Sequence, residues 1–356
     1  MAHTSQRRIG PVAGLFFGIA GGVVLGACVL APNLPEGDSG AVVITPAELK
    51  EARLEAEINA AQADTADTVV ADVAEDMVSG VLAEQSVLIM TTPDADKEDI
   101  DNIAWLLGKA GATDAGTVQL AKRFFDQDGA DALKTIVTST LPAGAQLSLD
   151  RLDPGTHSGE ALGSALFNDP VTGEPQADPG ERSLLLNALS ESGFLSFEQG
   201  AIQPADVIVI ITGDDDGSTD RFAAKNLATF VTALDTKGRG TVLAGRLRSA
   251  SDTGAIGVLR ADADARSHVS TVDSIDRAYG RLATVLAARH EREGDSGSYG
   301  SAASAEEAVP AKPVGPVREP GTGIEQHTQE PSPDSLSGEE QEQPAAEVGQ
   351  EAQDAG

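Results

Sequence analysis

Val207-Ile208-Val209-Ile210-Ile211 is a run of five β-branched residues with no polar side chain among them. A strand with one wet face alternates apolar and polar residues, so an unbroken run of this kind reads as a strand covered on both faces. Behind it comes a polar, glycine-bearing turn, Thr212 to Ser218, and then a helical pattern from Ser218 to Leu234. The same order recurs upstream. Val87-Leu88-Ile89-Met90 is apolar throughout, and the helical stretch Asp94 to Gly111 carries Ile100, Ile103, Ala104, Leu106 and Leu107 on one side. Further strands are expected at Thr241 to Ala244 and Ile256 to Leu259. Further helices are expected at Asp131 to Ser139, Ser158 to Phe167, Glu181 to Ser192 and Ile275 to His290. Strands alternating with helices predict a doubly wound, mostly parallel α/β domain over residues 86–292.

Working outward from that domain, residues 46–85 read as a helical stalk. Thr45 is placed as N-cap, with Pro46 at the first helical position and Glu48 at the third. Leu54, Ile58, Ala61, Thr65, Val69, Val73 and Met77 form a thin stripe at spacings of three and four, compatible with a weak coiled coil or with a single solvated or docked helix. Residues 32–45 form a Pro/Gly/Asp linker. Before it, residues 9–31 carry no charge and are long enough to cross a hydrocarbon layer of roughly 30 Å as a helix. Within that span Gly10, Gly14, Gly18, Gly22 and Gly26 recur at every fourth position, a smooth seam through which two helices in lipid approach closely. Arg7 and Arg8 precede the span and Glu36 and Asp38 follow it, so residues 1–8 are expected in the cytoplasm and the bulk of the chain outside. Leu25-Gly26-Ala27-Cys28 also resembles a lipoprotein processing box, but Val29 to Ala31 continue the apolar run, which favours an uncleaved anchor. At the other end, residues 293–356 turn to Ser, Gly, Pro, Glu and Gln, and from Ser301 onward hold twelve acids against two bases. Such a tail is expected to be disordered and acidic.

A formal net charge of −31 and 3% aromatic residues oppose nucleic-acid binding, which needs a basic surface. Cys28 is the single cysteine and lies in the span, so neither a disulfide framework nor a thiolate cluster is available. No GxSxG, HExxH or GKS/GKT motif occurs, and His3, His157, His268, His290 and His327 have no ligand spacing, so no enzyme is expected. Ligands of doubly wound sheets bind beyond the carboxyl ends of the strands. That rule singles out two carboxylate-rich loops, Thr91 to Asp96 and Thr212 to Ser218. Their acids either bind a hard cation or, in the plainer reading, Asp94 caps its helix and the second loop is solvated. Soft ligands in the chain that follows the span are limited to Met77 and Met90.

Thr92-Pro93-Asp94-Ala95, Leu141-Pro142-Ala143-Gly144, the run Gly159 to Leu166, Ser270 to Asp276 with Gly280-Arg281-Leu282, and Gly297-Ser298-Tyr299-Gly300 occur in an order and spacing that resemble the mycobacterial copper transporter family, MctB. The likeness runs from about Ile9 to Gly300. It implies an actinobacterial envelope protein of copper homeostasis, with copper as the transported ion and no resident cofactor; the glycine seam and the stalk stripe lead us to expect self-association through span and stalk. A similar corynebacterial branch is linked instead to daughter-cell separation, acting with a membrane partner to control a peptidoglycan hydrolase.

Overall fold

The computed structural model describes residues 46–311; the expected span with its five glycines, Cys28, the linker, Thr45 and the chain from residue 312 lie outside the described residues. Two units divide between Asp72 and Val73. The first contains most of α1 (Pro46–Val78), a helix on which Leu49, Leu54, Ile58 and Val69 are exposed. α1 stops at Val78, short of the expected Gln85, because Gly80 takes a left-handed φ of 72° that a helix cannot continue.

The second unit runs on from Val73 as a mixed α/β domain. Its elements follow in the order β1 (Ser86–Thr91), α2 (Lys97–Lys109), β2 (Thr113–Leu120), α3 (Lys122–Phe125), α4 (Ala130–Ser139), α5 (Pro154–Leu166) and α6 (Pro179–Glu191). Next come β3 (Leu195–Phe197), β4 (Val207–Ile211), α7 (Arg221–Gly238), β5 (Thr241–Ala244), α8 (Ala255–Ala261), α9 (Ala263–Arg266), β6 (Ser270–Val272), α10 (Ala278–Glu293) and β7 (Ser298–Tyr299). The strands form one sheet in the order β3-β2-β1-β4-β5-β6-β7, parallel except where the edge strand β3 runs antiparallel to β2. The winding reverses between β1 and β4. The chain passes from β1 outward to β2 and from β4 outward to β5, so the doubly wound expectation holds for the sheet.

Alternation along the strands divides the core between two faces. Leu88, Met90, Ile208, Ile210 and Leu243 join one buried cluster with residues of α3 to α8. Their neighbours Ile89, Val209, Ile211 and Val242 are also buried, on the face where α10 packs against β4, β5, β6 and α2. The first face includes a tightly packed helix pair. Gly155, Gly159 and Gly163 of α5 lie against α7, and a Cβ on Gly159 would stand 2.4 Å from the Phe230 carbonyl oxygen.

Three expectations need correction. Ile256 to Leu259 is not a strand but part of the helix α8, with Ile256 and Leu259 buried one turn apart. A four-residue apolar run does not by itself separate helix from strand, and here Gly257 lets the backbone approach the Ser251 carbonyl. The helix expected from Ile275 begins at Ala278, because Ser274 has a φ of 65° that breaks the approach to it. Ordered structure also continues beyond 292. α10 ends at Glu293, and Ser298-Tyr299, a pair flanked by Gly297 and Gly300, adds the seventh strand beside β6.

A buried ion pair fastens that last strand. Arg260 donates from Nη1 to Asp273 Oδ2 at 2.9 Å, from Nε to the Thr271 hydroxyl at 2.9 Å and from Nη2 to the Tyr299 carbonyl at 2.8 Å. Asp273 Oδ1 accepts from the Ser274 hydroxyl at 2.8 Å and from the Ser301 N–H at 2.7 Å. Removal from water pulls the Arg260 pKa down, and Asp273 opposes that shift.

A second buried acid sits at the other end of β6. Glu291 accepts the Ser270 N–H at 2.6 Å; burial, then the neighbouring Asp235 carboxyl, push its pKa well above the usual carboxylate value. Burial likewise raises Asp235 to about 6. A raised folded-state pKa contributes stability that is complete below the unfolded value and is lost as pH rises through the folded value. Glu291→Gln keeps an acceptor for the Ser270 N–H and removes this titration. The variant should match the parent in thermal melts near pH 4 and exceed it at pH 8; parallel pH profiles would refute the assignment.

Candidate functional site at the sheet crossover

The reversal between β1 and β4 leaves a crevice at their carboxyl ends, where open α/β sheets place ligands. Main-chain bonds carry the sheet into it: the Thr92 N–H donates to the Ile211 carbonyl at 3.0 Å, and the Thr212 N–H to that of Ala244 at 2.8 Å. Both loops singled out by sequence meet here. Asp94 does not cap α2; Asp96 does, accepting the Glu98 N–H. Asp94 instead spans the crevice floor, accepting the Thr92 hydroxyl on Oδ1 and the Gly213 N–H on Oδ2 at 3.1 Å. The Thr92 and Thr212 hydroxyls lie 3.1 Å apart between the strands. Gly213 is required at this junction, since a Cβ there would lie 2.1 Å from the Asp94 carbonyl.

The acids of the second loop are engaged by the protein itself. Asp214 accepts the Arg248 N–H at 2.9 Å, Asp215 the Gly217 N–H at 2.9 Å, and Asp216 both the Ser218 N–H at 3.0 Å and the Arg248 guanidinium at 2.6 Å. Hydrogen bonds from Ser218, then Arg248, hold the Asp216 carboxyl well below the usual range. On the neighbouring turn Arg246 pairs with Asp99 at 2.7 Å and Asp96 at 3.2 Å. Burial raises the Asp99 pKa against the pull of that guanidinium. Among the described residues no group of three or more His, Cys, Asp or Glu side chains is placed to hold a metal ion.

Beside these loops opens a cleft of about 430 Å³. Thr92, Pro93 and Asp94 form one wall, and the turn Asp215 to Asp220 with the first two turns of α7 forms another. Lys122, Phe125 and Asp126 close the third side, with Ser249 and Ala255 at the base. Lys122, Phe125 and Asp126 were not legible as site residues. They follow β2, whose sequence Thr-Asp-Ala-Gly-Thr-Val-Gln-Leu carries neither an apolar run nor a regular alternation. The other sequence candidates stay apart. His157 is buried on α5 with Nε2 3.0 Å from the Ser148 carbonyl, His268 contacts the Asp264 carbonyl, and His290 contacts the Tyr299 hydroxyl and the Ala311 carbonyl. Met90 is buried within β1. No described helix is long and apolar enough to cross a membrane.

The sequence model of the family described as "Copper transport outer membrane protein, MctB" matches residues 8–310. The chain is 37% identical over 213 residues to the copper transporter MctB of Mycobacterium tuberculosis, an alignment covering 59% of this chain and 68% of that protein. The copper transporter MctB of Mycobacterium bovis aligns with the same figures. That of Mycobacterium leprae is 35% identical over 219 residues, with the same shares covered.

Proposed function

Because this chain belongs to the MctB family of copper transport envelope proteins, we propose that it lowers intracellular copper, with copper as cargo and not as a resident cofactor. The observation that carries this reading is the family match over residues 8–310, which takes in both the expected span and the α/β domain. In this reading the span at 9–31 anchors the chain with its N-terminus in the cytoplasm, and the seam of Gly10, Gly14, Gly18, Gly22 and Gly26 lets several copies assemble in the membrane. Transport then depends on that assembly. The α/β domain stands outside and acts without an enzymatic step. Deletion in the native host followed by copper challenge tests the proposal: the strain should accumulate copper and grow poorly, and the intact gene should reverse both. Unchanged cell copper would overturn it.

A second reading rests on the exposed apolar residues of α1. Leu54, Ile58 and Val69 offer a helix face to a protein partner, as control of a peptidoglycan hydrolase during cell separation would require. Chains of unseparated cells in the same deletion strain support this role, and normal separation counts against it.

A further inference from the structure

We infer that the cleft at the sheet crossover binds a compact organic cation, a primary ammonium carried on a chain of methylene groups. Its volume of about 430 Å³ falls in the range of small-molecule sites and suits a ligand of amino-acid to dipeptide size. The charge of its lining selects the sign of the ligand. Asp94, Asp126, Asp215 and Asp220 face Lys122 as the only cation of the lining. The two nearby arginines bring no balancing charge, because Arg246 is paired with Asp96 and Asp99 and Arg248 with Asp216. The first turn of α7 would attract an anion through its free N–H groups, but the Asp220 carboxylate already occupies that end, accepting the Ala223 N–H at 3.0 Å.

The rest of the lining suits the body of such a ligand. Phe125, Ala224, Leu227 and Ala255 supply apolar surface, and the alanines leave open the space that larger side chains would fill. Carboxylates stand on each side of the cleft, Asp94 on one, Asp126 on another, and Asp215 with Asp220 on the third. The Asp126 carboxylate makes no hydrogen bond among the described residues; Asp215 and Asp220 each spend one oxygen on a backbone N–H, and Asp94, with an oxygen on the Thr92 hydroxyl and the other on the Gly213 N–H, keeps only its remaining lone pairs for a further donor. An ammonium has three donors and no acceptor, which matches a site rich in carboxylate oxygens. Copper(I) does not fit the same lining, since it prefers thiolate and thioether ligands.

Two probes separate the sources of this chemistry: cadaverine stands for a free amine, and a lysine-containing tripeptide for an amine presented by a peptide. Each is titrated calorimetrically into the full-length protein at low salt. Saturable binding of either supports the inference, and the tighter of the two identifies the source. Asp126→Asn should weaken binding about fivefold, the worth of one half-exposed charge pair. Ala224→Trp should abolish it by filling the cleft, with the thermal melt of each variant confirming the fold. Failure of both probes, equal binding by Asp126→Asn and Ala224→Trp, or equal binding of glutarate, the dicarboxylate of matching length, would overturn the inference.

Discussion

Replacing Arg260 with alanine is expected to lower the stability of the α/β domain by about 3–5 kcal/mol, the cost of leaving a buried carboxylate without its cation. Asp273 has no exposed side-chain surface, so water cannot take over from the guanidinium. The arginine also satisfies the Thr271 hydroxyl, the Ser304 hydroxyl and the Tyr299 carbonyl, which would lose their donor in the same step. Because Asp273 holds the Ser301 N–H, the loss should be felt first where the chain leaves β7. Two measurements check this: urea denaturation of the full-length chain, and limited proteolysis, which should show new cleavage just after Tyr299. Arg260→Lys keeps the charge but only part of the donor fork, and should fall between parent and alanine variant. An unchanged urea midpoint for Arg260→Ala would refute the latch.

The second large effect is expected at Gly159. Its α-carbon faces α7 so closely that an added methyl would sit 2.4 Å from the Phe230 carbonyl oxygen, 2.8 Å from the Leu234 nitrogen and 2.9 Å from the Ala233 Cβ. Two of the three are backbone atoms of a helix and cannot turn aside, so α5 itself must move away and surrender contacts along its length. Gly159→Ala gains about 1 kcal/mol of helix propensity and should still be destabilising overall, since overpacking a close contact costs about 1–3 kcal/mol or more. Gly159→Leu should leave no cooperative unfolding transition. Gly108 is the control. It lies in α2, exposed, and a Cβ there would meet nothing within 4 Å. Gly108→Ala should therefore stabilise the domain by about 0.5–1 kcal/mol. Thermal melts of the three variants decide the matter, and a Gly159→Ala protein as stable as the Gly108→Ala protein would disprove the close-packing account.

Gly159 also shows how a pattern legible in sequence acquires its meaning in space. The run Gly159 to Leu166 contributes to the family likeness, yet spacing alone does not say what its small residues meet. They meet α7, some seventy positions further along the chain. The glycines of the expected span have the same fourfold spacing but would work in lipid, where a seam between helices needs no hydrophobic driving force.

The central strands and the crevice were the most legible parts. β1, β4 and β5 carry unbroken apolar runs because both of their faces are covered, a local signature that needs no knowledge of the partner strand. The reversal of winding between β1 and β4 then fixes where the loops meet, so the two acid-rich turns fell at the crevice as the sequence rule required. The edges of the sheet were less legible. β2 is half exposed and interrupted by Gly116, β3 and β6 have three residues each, and β7 has two. Such strands are selected by hydrogen bonding to a neighbour already in place, and short runs carry too few side chains to display a period.

By itself, then, the sequence of this protein determined a parallel α/β core with its crevice at the carboxyl ends of β1 and β4, because burial on two faces writes itself into consecutive residues. Tertiary structure alone decided what the acids of that crevice do. Asp94 bridges to Gly213 across 119 positions of chain instead of capping its own helix, and Asp214 and Asp216 are taken up by Arg248. Carboxylates are distinguished by their hydrogen-bond donors, and those donors are brought by other strands. Only folding shows which remain free to meet a ligand.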